Sequence, residues 1–354
     1  MTVSPFEHPF LSGLLGDAET AALFSAEADI DCMIAFESAL AEAEAAEGII
    51  PADAAKAISH RLPDIEFDMD ALRAATARDG VVVPDLVRQM RAAVGPPHGE
   101  YVHFGATSQD AVDTSLALRL KLLLATFGDR LDLLVAALHQ LDMRDGTTRV
   151  MAHTRMQAAI PVTATRKIRS WRDPLMRERT RLTAIAHDHA LVAFGGAAGT
   201  LDGLGSQADA VTRRMARRLG LRAPDKPRHS ERDGMVELAS WFAMVTGSLG
   251  KMGQDIAIAA QSEVGEVRLA SGGGSSAMPH KVNPVDAELL VTLARFNATL
   301  VAGMHQAMVH ENERSGAAWT LEWMLLPQMA TATGTALNAA LRLVGNMAFV
   351  ALEE

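Results

Sequence analysis

The sequence predicts an all-α protein: an elongated central bundle of about five long helices with a smaller helical domain at its N-terminus. Three observations carry this expectation. Apolar residues recur at helical spacing over stretches much longer than a strand. Hydrophobic residues make up 49% of the 354 residues and aromatics only 5%, so a core must come mainly from Ala, Leu, Val and Met, mostly strong helix formers. Regular apolar–polar alternation is scarce, which leaves room only for short β pieces, and no repeat of fixed period is evident.

Residues 1–100 hold shorter helical patterns broken by Pro51, Pro63, Gly80, Pro84 and the run Gly95–Pro97. "AFESALAEAEAAEG" (Ala35–Gly48) reads as a helix that stops at its glycine. "VGPPHG" (Val94–Gly99) is the clearest break, and it divides an N-terminal helical domain, 1–100, from a bundle, 101–354. Beyond it, Asp110–Asp145 has no Pro, one Gly and a broad stripe that includes Leu116, Leu120, Leu123, Phe127, Leu131, Leu134 and Leu138. Such a stripe suits a helix buried among others. Further long helical patterns span Pro161–Leu191, Ser230–Ala270, Val285–Asn312 and Leu321–Ala351, separated by polar or glycine-rich breaks.

Several functional classes are disfavoured. Cys32 is the single cysteine, which excludes a disulfide framework or a cysteine-based metal cluster. The N-terminus shows no basic segment followed by an apolar run, and no uncharged apolar run reaches membrane-spanning length. A cytoplasmic protein with no membrane partner is expected. A net charge of −10 argues against nucleic acid as the main partner. The arginine-rich stretch 166–181 is interleaved with Asp173 and Glu178 and reads as a solvated or inter-subunit face. His187 and His189 form an H-x-H that on a helix points two ways, so it reads as a surface pair and not a metal site. Trp319 and Trp323, four apart, read as core packing or as the lining of a pocket.

The informative stretch is "SGGGSSAMPHKVNP", Ser271–Pro284. It lacks the G-K-[S/T] ending of a phosphate-binding loop and the G-x-S-x-G of a serine-hydrolase elbow. A plain linker has no need of paired serines, a lysine and an amide in one short span. Glycines allow the segment to move and its N–H groups to converge on an anion. A serine there needs nearby positive charge to act as a base. The set suits proton transfer at a carbon beside a carboxylate, through an enediolate that a lysine and an amide stabilise.

Residues 274–284, "GSSAMPHKVNP", resemble the signature of the fumarase/aspartase superfamily, G-S-S-x-M-P-x-K-x-N-P. "HFGATSQDAVDT" (His103–Thr114) is similar to that family's first segment and "HTRMQAAIPVT" (His153–Thr163) to its second. "GGAAGT" (Gly195–Thr200) and "QSEVGEV" (Gln261–Val267) also match. The resemblance implies that Ser275 is the general acid/base and that Lys281 and Asn283 bind carboxylate and enediolate. It implies substrate contacts from His103, Thr107, Ser108, Gln109, His153, Thr154, Gln157, Arg314 and Ser315. It further implies a homotetramer whose active sites draw the three segments from different subunits, with no metal and no organic cofactor. Thr107–Gln109 could also simply cap the long helix that follows, which is compatible with anion binding at its N-terminus.

Within the superfamily, "GATSQD" together with "HENERSGAAWTLEW" (His310–Trp323) is most similar to the members that close a small tricarboxylate diene to a lactone. A fumarate-releasing lyase such as adenylosuccinate lyase is the alternative, and a non-catalytic structural member a more remote one. Fumarate-releasing members usually carry His after the Thr of the second segment. Here Arg155 follows Thr154, which fits lactonisation, because the nucleophile then belongs to the substrate, and Arg155 is expected to bind one of its carboxylates. The sequence stops soon after its last long helix, so the small C-terminal helical domain of many members is expected to be absent.

Overall fold

A helix of 38 residues organises the molecule. In the computed structural model, which describes residues 4–274, 278 and 281–352, the helices are α1 (Ser12–Leu15), α2 (Ala18–Ala22), α3 (Ala26–Ala46), α4 (Ala52–Arg61), α5 (Met69–Asp79), α6 (Val83–Val94), α7 (Ser108–Asp145), α8 (Ala164–His189), α9 (Ala208–Leu219), α10 (Asp233–Ala259), α11 (Val285–Ala307) and α12 (Ala317–Asn346). Short strands β1 (Arg149–Thr154) and β2 (Gln157–Thr163) form one antiparallel hairpin, and β3 (Val267–Leu269) and β4 (Met347–Phe349) pair antiparallel elsewhere.

The 38 residues of α7 make it about 57 Å long at 1.5 Å per residue. Its stripe is buried as its spacing predicts: Leu120, Leu123, Phe127, Leu131, Leu134 and Leu138 are almost wholly enclosed. Each such side chain contributes roughly 1.5–3 kcal/mol on leaving water. α7 packs on α8 and α12, and α10 packs on α8, α11 and α12, which gives the expected all-α bundle of five long helices. α10 and α11 approach so closely that a Cβ at Gly250 would lie 2.4 Å from Ala294 Cβ, and one at Gly253 2.4 Å from Ala287 O. Only glycine permits that separation.

Two apolar cores result. One fills the bundle between α7, α8, α10, α11 and α12. The other joins α3–α6 to the start of α7, to α9 and to Trp319. The break at Val94–Gly99 does separate α6 from α7, but apolar packing crosses it.

Element ends differ from the sequence expectation where polar chemistry intervenes. The pattern Ser230–Ala270 stops as helix at Ala259, and 267–269 becomes strand. Pro161–Thr163 belongs to β2, and α8 begins only at Ala164. α11 has the length and apolar content of a membrane span despite the expectation that none would. Leu289, Leu290, Leu293 and Met304 nevertheless face the bundle core. His189 is not a surface residue: it is half-buried, and its Nε2 lies 3.0 Å from Gly234 O.

Candidate active site

The N-terminus of α7 carries the densest polar network among the described residues. Asp110, fully buried, accepts the N–H of Thr107 at 2.8 Å, which satisfies one of the helix's orphan donors. It also accepts the N–H groups of Gly195 and Gly196 at 2.9 and 3.0 Å, and its Oδ1 lies 2.7 Å from His229 Nε2. A Cβ on Gly195 would fall 2.4 Å from His229 Cε1, so only glycine lets "GGAAGT" lie against this helix end. Asp110 thus ties three distant stretches together, and none of its hydrogen-bonding capacity is left for a ligand.

Arg314 reaches into the same place from the loop before α12. Its Nε donates to Gln109 Oε1, Nη1 to Thr107 Oγ1 and Nη2 to Gly196 O, all at 3.1 Å. All three partners are neutral, and among the described residues no carboxylate pairs with Arg314. A half-buried guanidinium without a counter-charge among the described residues, at the positive end of a long helix dipole, has the donors and charge that suit an anion.

Two expected ligand contacts have other partners. Gln109 is 1% exposed, and its amide is fully engaged by Arg314, by Asp113 Oδ2 at 3.0 Å and by His229 O at 2.9 Å. It holds Arg314. Ser315 is fully buried, and its Oγ accepts the Ala318 N–H at 3.2 Å, which caps the first turn of α12. Thr107, Ser108 and Arg314 are half-buried and closer to the surface.

Beneath this layer lies an ion cluster that the motifs did not disclose. Arg232 Nη1 meets Asp113 Oδ2 at 2.8 Å, and its Nε meets Glu322 Oε1 at 2.9 Å. Trp319 Nε1 donates to Asp113 Oδ1 at 3.0 Å and stacks edge-to-face on Trp323. Trp319 is therefore a core residue, while Trp323 lines a groove with Phe24, Val112 and Leu326. Burial alone would lower the Arg232 pKa, but Asp113 and Glu322 outweigh it and raise it, so the guanidinium stays charged.

His103, on the connection before α7, has left-handed backbone geometry, with φ 62°. Its Nδ1 lies 2.5 Å from Glu37 Oε1 of α3.

The second segment stands apart. Thr154 and Gln157 pair across a two-residue turn, and Arg155 and Met156 both have positive φ, 49° and 64°. Residues 153–157 are all exposed, and among the described residues the Gln157 amide donates only to Met156 O, at 3.2 Å. The base of the hairpin is anchored: Met151 N–H donates to Glu266 Oε1 at 2.9 Å, and Lys167 Nζ contacts Glu266 Oε2 at 2.5 Å.

The third segment has its base beside the same glutamate. β3 pairs with β4, and Val350 N–H donates to Glu266 O at 2.9 Å. Asn346, the last residue of α12, accepts the Ser271 N–H on Oδ1 at 2.9 Å and donates from Nδ2 to Ser271 O at 2.5 Å. Gly273 and Asn283 exchange two backbone hydrogen bonds of 3.0 Å, which close the neck of the loop. Lys281 is exposed and Asn283 half-buried. Ser275 and Ser276 lie outside the described residues.

Geometry separates these groups within one chain. The first segment opens α7 and the second follows its end, so the helix length of about 57 Å lies between them.

The sequence profile of the family described as Lyase matches residues 18–300. The chain is 40% identical over 329 residues to the 3-carboxy-cis,cis-muconate cycloisomerase of Pseudomonas aeruginosa, covering 91% of this chain and 72% of that protein. It is 39% identical to the enzyme of the same name from Pseudomonas putida, covering 90% of this chain and 77% of that one. The crystal structure of the 3-carboxy-cis,cis-muconate lactonizing enzyme from Pseudomonas putida superposes with a TM-score of 0.91 at 36% identity, covering 96% of this chain and 77% of that one. With a profile match over most of its length and relatives at these identities, the chain belongs to the lyase family of the fumarase/aspartase superfamily.

Proposed function

We propose that this chain is a cycloisomerase that closes 3-carboxy-cis,cis-muconate to a carboxymuconolactone in the protocatechuate branch of aromatic catabolism, in the cytoplasm. The observation that carries the reading is Arg314, a guanidinium held by three neutral acceptors at the start of α7. It offers a carboxylate site in a chain whose relatives at 39–40% identity bear the cycloisomerase name.

In the proposed reaction one carboxylate oxygen of the substrate adds across the conjugated double bond. The electron pair moves onto the neighbouring carboxyl group as an enediolate. Lys281 and Asn283 stabilise that charge, and the Ser275 hydroxyl delivers a proton to the α-carbon and recovers one from solvent. Arg314 and Thr107 hold a second carboxylate, and Arg155 with His153, Thr154 and Gln157 serves the remaining one.

The distance along α7 supports a shared site: the two ends meet only if a second copy supplies the hairpin. To this reading the family resemblance adds a homotetramer with composite sites.

The test is spectrophotometric. Purified protein is mixed with 3-carboxy-cis,cis-muconate and the diene absorbance followed, with adenylosuccinate as a parallel substrate. Rapid loss that Ser275→Ala nearly abolishes, without loss of fold or assembly, is the expected outcome. Fumarate release from adenylosuccinate with a stable diene overturns the substrate while keeping the loop chemistry. Full activity in Ser275→Ala removes the serine's role.

A further inference from the structure

Glu37 lies on α3, outside all three segments, and is 2% exposed. Its Oε1 is 2.5 Å from His103 Nδ1. Its Oε2 is buried without a hydrogen-bond partner. Two turns further along the same helix Glu44 is fully buried, and neither of its oxygens has a partner. Its Oε1 lies 3.7 Å from where a Cβ on Gly105 would stand, so it faces the backbone just after His103.

We infer that Glu37 is the positioning residue for His103: it orients the imidazole from the N-terminal helices and holds it as a cation that faces the substrate. The inference rests on the proposed reading, in which His103 touches the substrate. A carboxylate can only accept, so Nδ1–H donates to Glu37, and Nε2–H is the ring's second donor. The backbone is held as well, since Arg91 donates from Nε and Nη2 to Val102 O at 3.2 and 3.0 Å. That bond fixes the residue before the left-handed turn, and the ring cannot seek another partner without leaving Glu37.

The charges around the ring agree with the geometry. His103 faces Glu37 on α3, Asp110 on α7 and Arg91 on α6, and Glu44 in turn faces Glu37. Burial by itself would lower the His103 pKa, but Glu37 outweighs it and raises it. Burial first, and then the Glu37 charge, pushes Glu44 up to about 9, so Glu44 stays neutral at pH 7. The pocket then holds one negative and one positive charge, which is the arrangement that low dielectric tolerates.

The experiment compares the full-length chain with Glu37→Gln, which keeps an acceptor at the same place and removes the charge. The His103 titration is followed by NMR on histidine-labelled protein, assigned with His103→Gln, beside the pH profile of kcat/KM for 3-carboxy-cis,cis-muconate. In Glu37→Gln the proton affinity of His103 is expected to fall roughly tenfold, one pH unit. The alkaline limb of the profile should move to lower pH with it, thermal stability should hardly change, and Glu37→Asp should recover part of the shift. An identical titration in the two proteins overturns the inference. So does a titration that moves while the pH profile does not. If the wild-type chain fails to turn over the muconate, the proposed function falls, and the NMR comparison still decides whether Glu37 controls the charge of His103.

Discussion

The two ends of α7 are built by opposite rules. At its start, Asp110, Gln109, His229 and Arg232 are buried and Asp113 is half-buried, and each has a partner from another part of the same chain. Beyond its far end, the turn of the β1–β2 hairpin and Lys281 face solvent, and the side chains of that turn find little among the described residues. Buried polar groups must be satisfied where they stand, so the first end is preorganised before any ligand arrives. Exposed groups bear no such requirement. Their bases are fixed, by Glu266 and Asn346, and the exposed hairpin turn and Lys281 face solvent, where another copy can reach them.

The sharpest way to break this comparison is to inactivate each end in a different chain. Lys281→Met removes the enediolate's cation and is expected to cripple turnover almost completely, and Arg314→Met at the other end is expected to leave little activity when substrate is kept well below KM, the condition used for both. If sites are composite, refolding the two inactive variants together regains activity, because some sites then receive both intact parts. Continued inactivity in mixtures that have demonstrably formed hybrid assemblies would place each site within one chain.

Arg314→Met by itself sharpens the account of the preorganised end. A charge-assisted hydrogen bond contributes about 1.5–3 kcal/mol, so KM should rise on the order of 10- to 150-fold, with the fold intact. A change in kcat with KM unaltered would show that Arg314 acts on the transition state only and not as a carboxylate anchor.

A smaller effect, on stability, comes from Glu44. Its folded pKa, about 9, is raised above the ordinary 4.5, so the folded chain holds a proton that the unfolded chain releases. The stabilisation from that proton is complete below pH 4.5 and is lost as pH rises towards 9, by about 1.4 kcal/mol per unit at most. Glu44→Gln carries no such penalty. It should be more stable than the parent near neutral pH, by up to roughly 3 kcal/mol, and should flatten the decline of Tm between pH 5 and 9. Parallel Tm curves would mean that Glu44 is ionised in the fold.

Much of the site was legible in the motifs because local sequence dictates local geometry. "GATSQD" announces a helix N-terminus, and Thr107 and Asp110 do close it reciprocally. The run of glycines before Asn283 matches a neck in which a Cβ on Gly272 would lie 2.5 Å from Asn283 O. Arg314 was singled out by the resemblance, and the structure places it beside Thr107 and Gln109. Glu37, His229, Arg232 and Glu322 were not found. Their partners lie 66 to 119 positions away, or 90 for the Arg232–Glu322 pair, and nothing in the immediate neighbourhood of each residue signals the contact. Gln109 and Ser315 were placed at the substrate by pattern, whereas burial assigns them to holding Arg314 and capping α12.

The sequence by itself determined the helices, because a 3.6-residue apolar period and the absence of proline act within each segment. It also carried the residues on which the proposed loop chemistry rests, Ser275, Lys281 and Asn283, because a motif is read from neighbouring positions alone. Only the tertiary structure decided which polar residues are free to meet a ligand and which are committed to one another. That depends on how the helices pack: α7 is long enough to hold two candidate segments about 57 Å apart, and the cores bury the polar groups at its start, whereas the hairpin turn beyond its end stands in solvent.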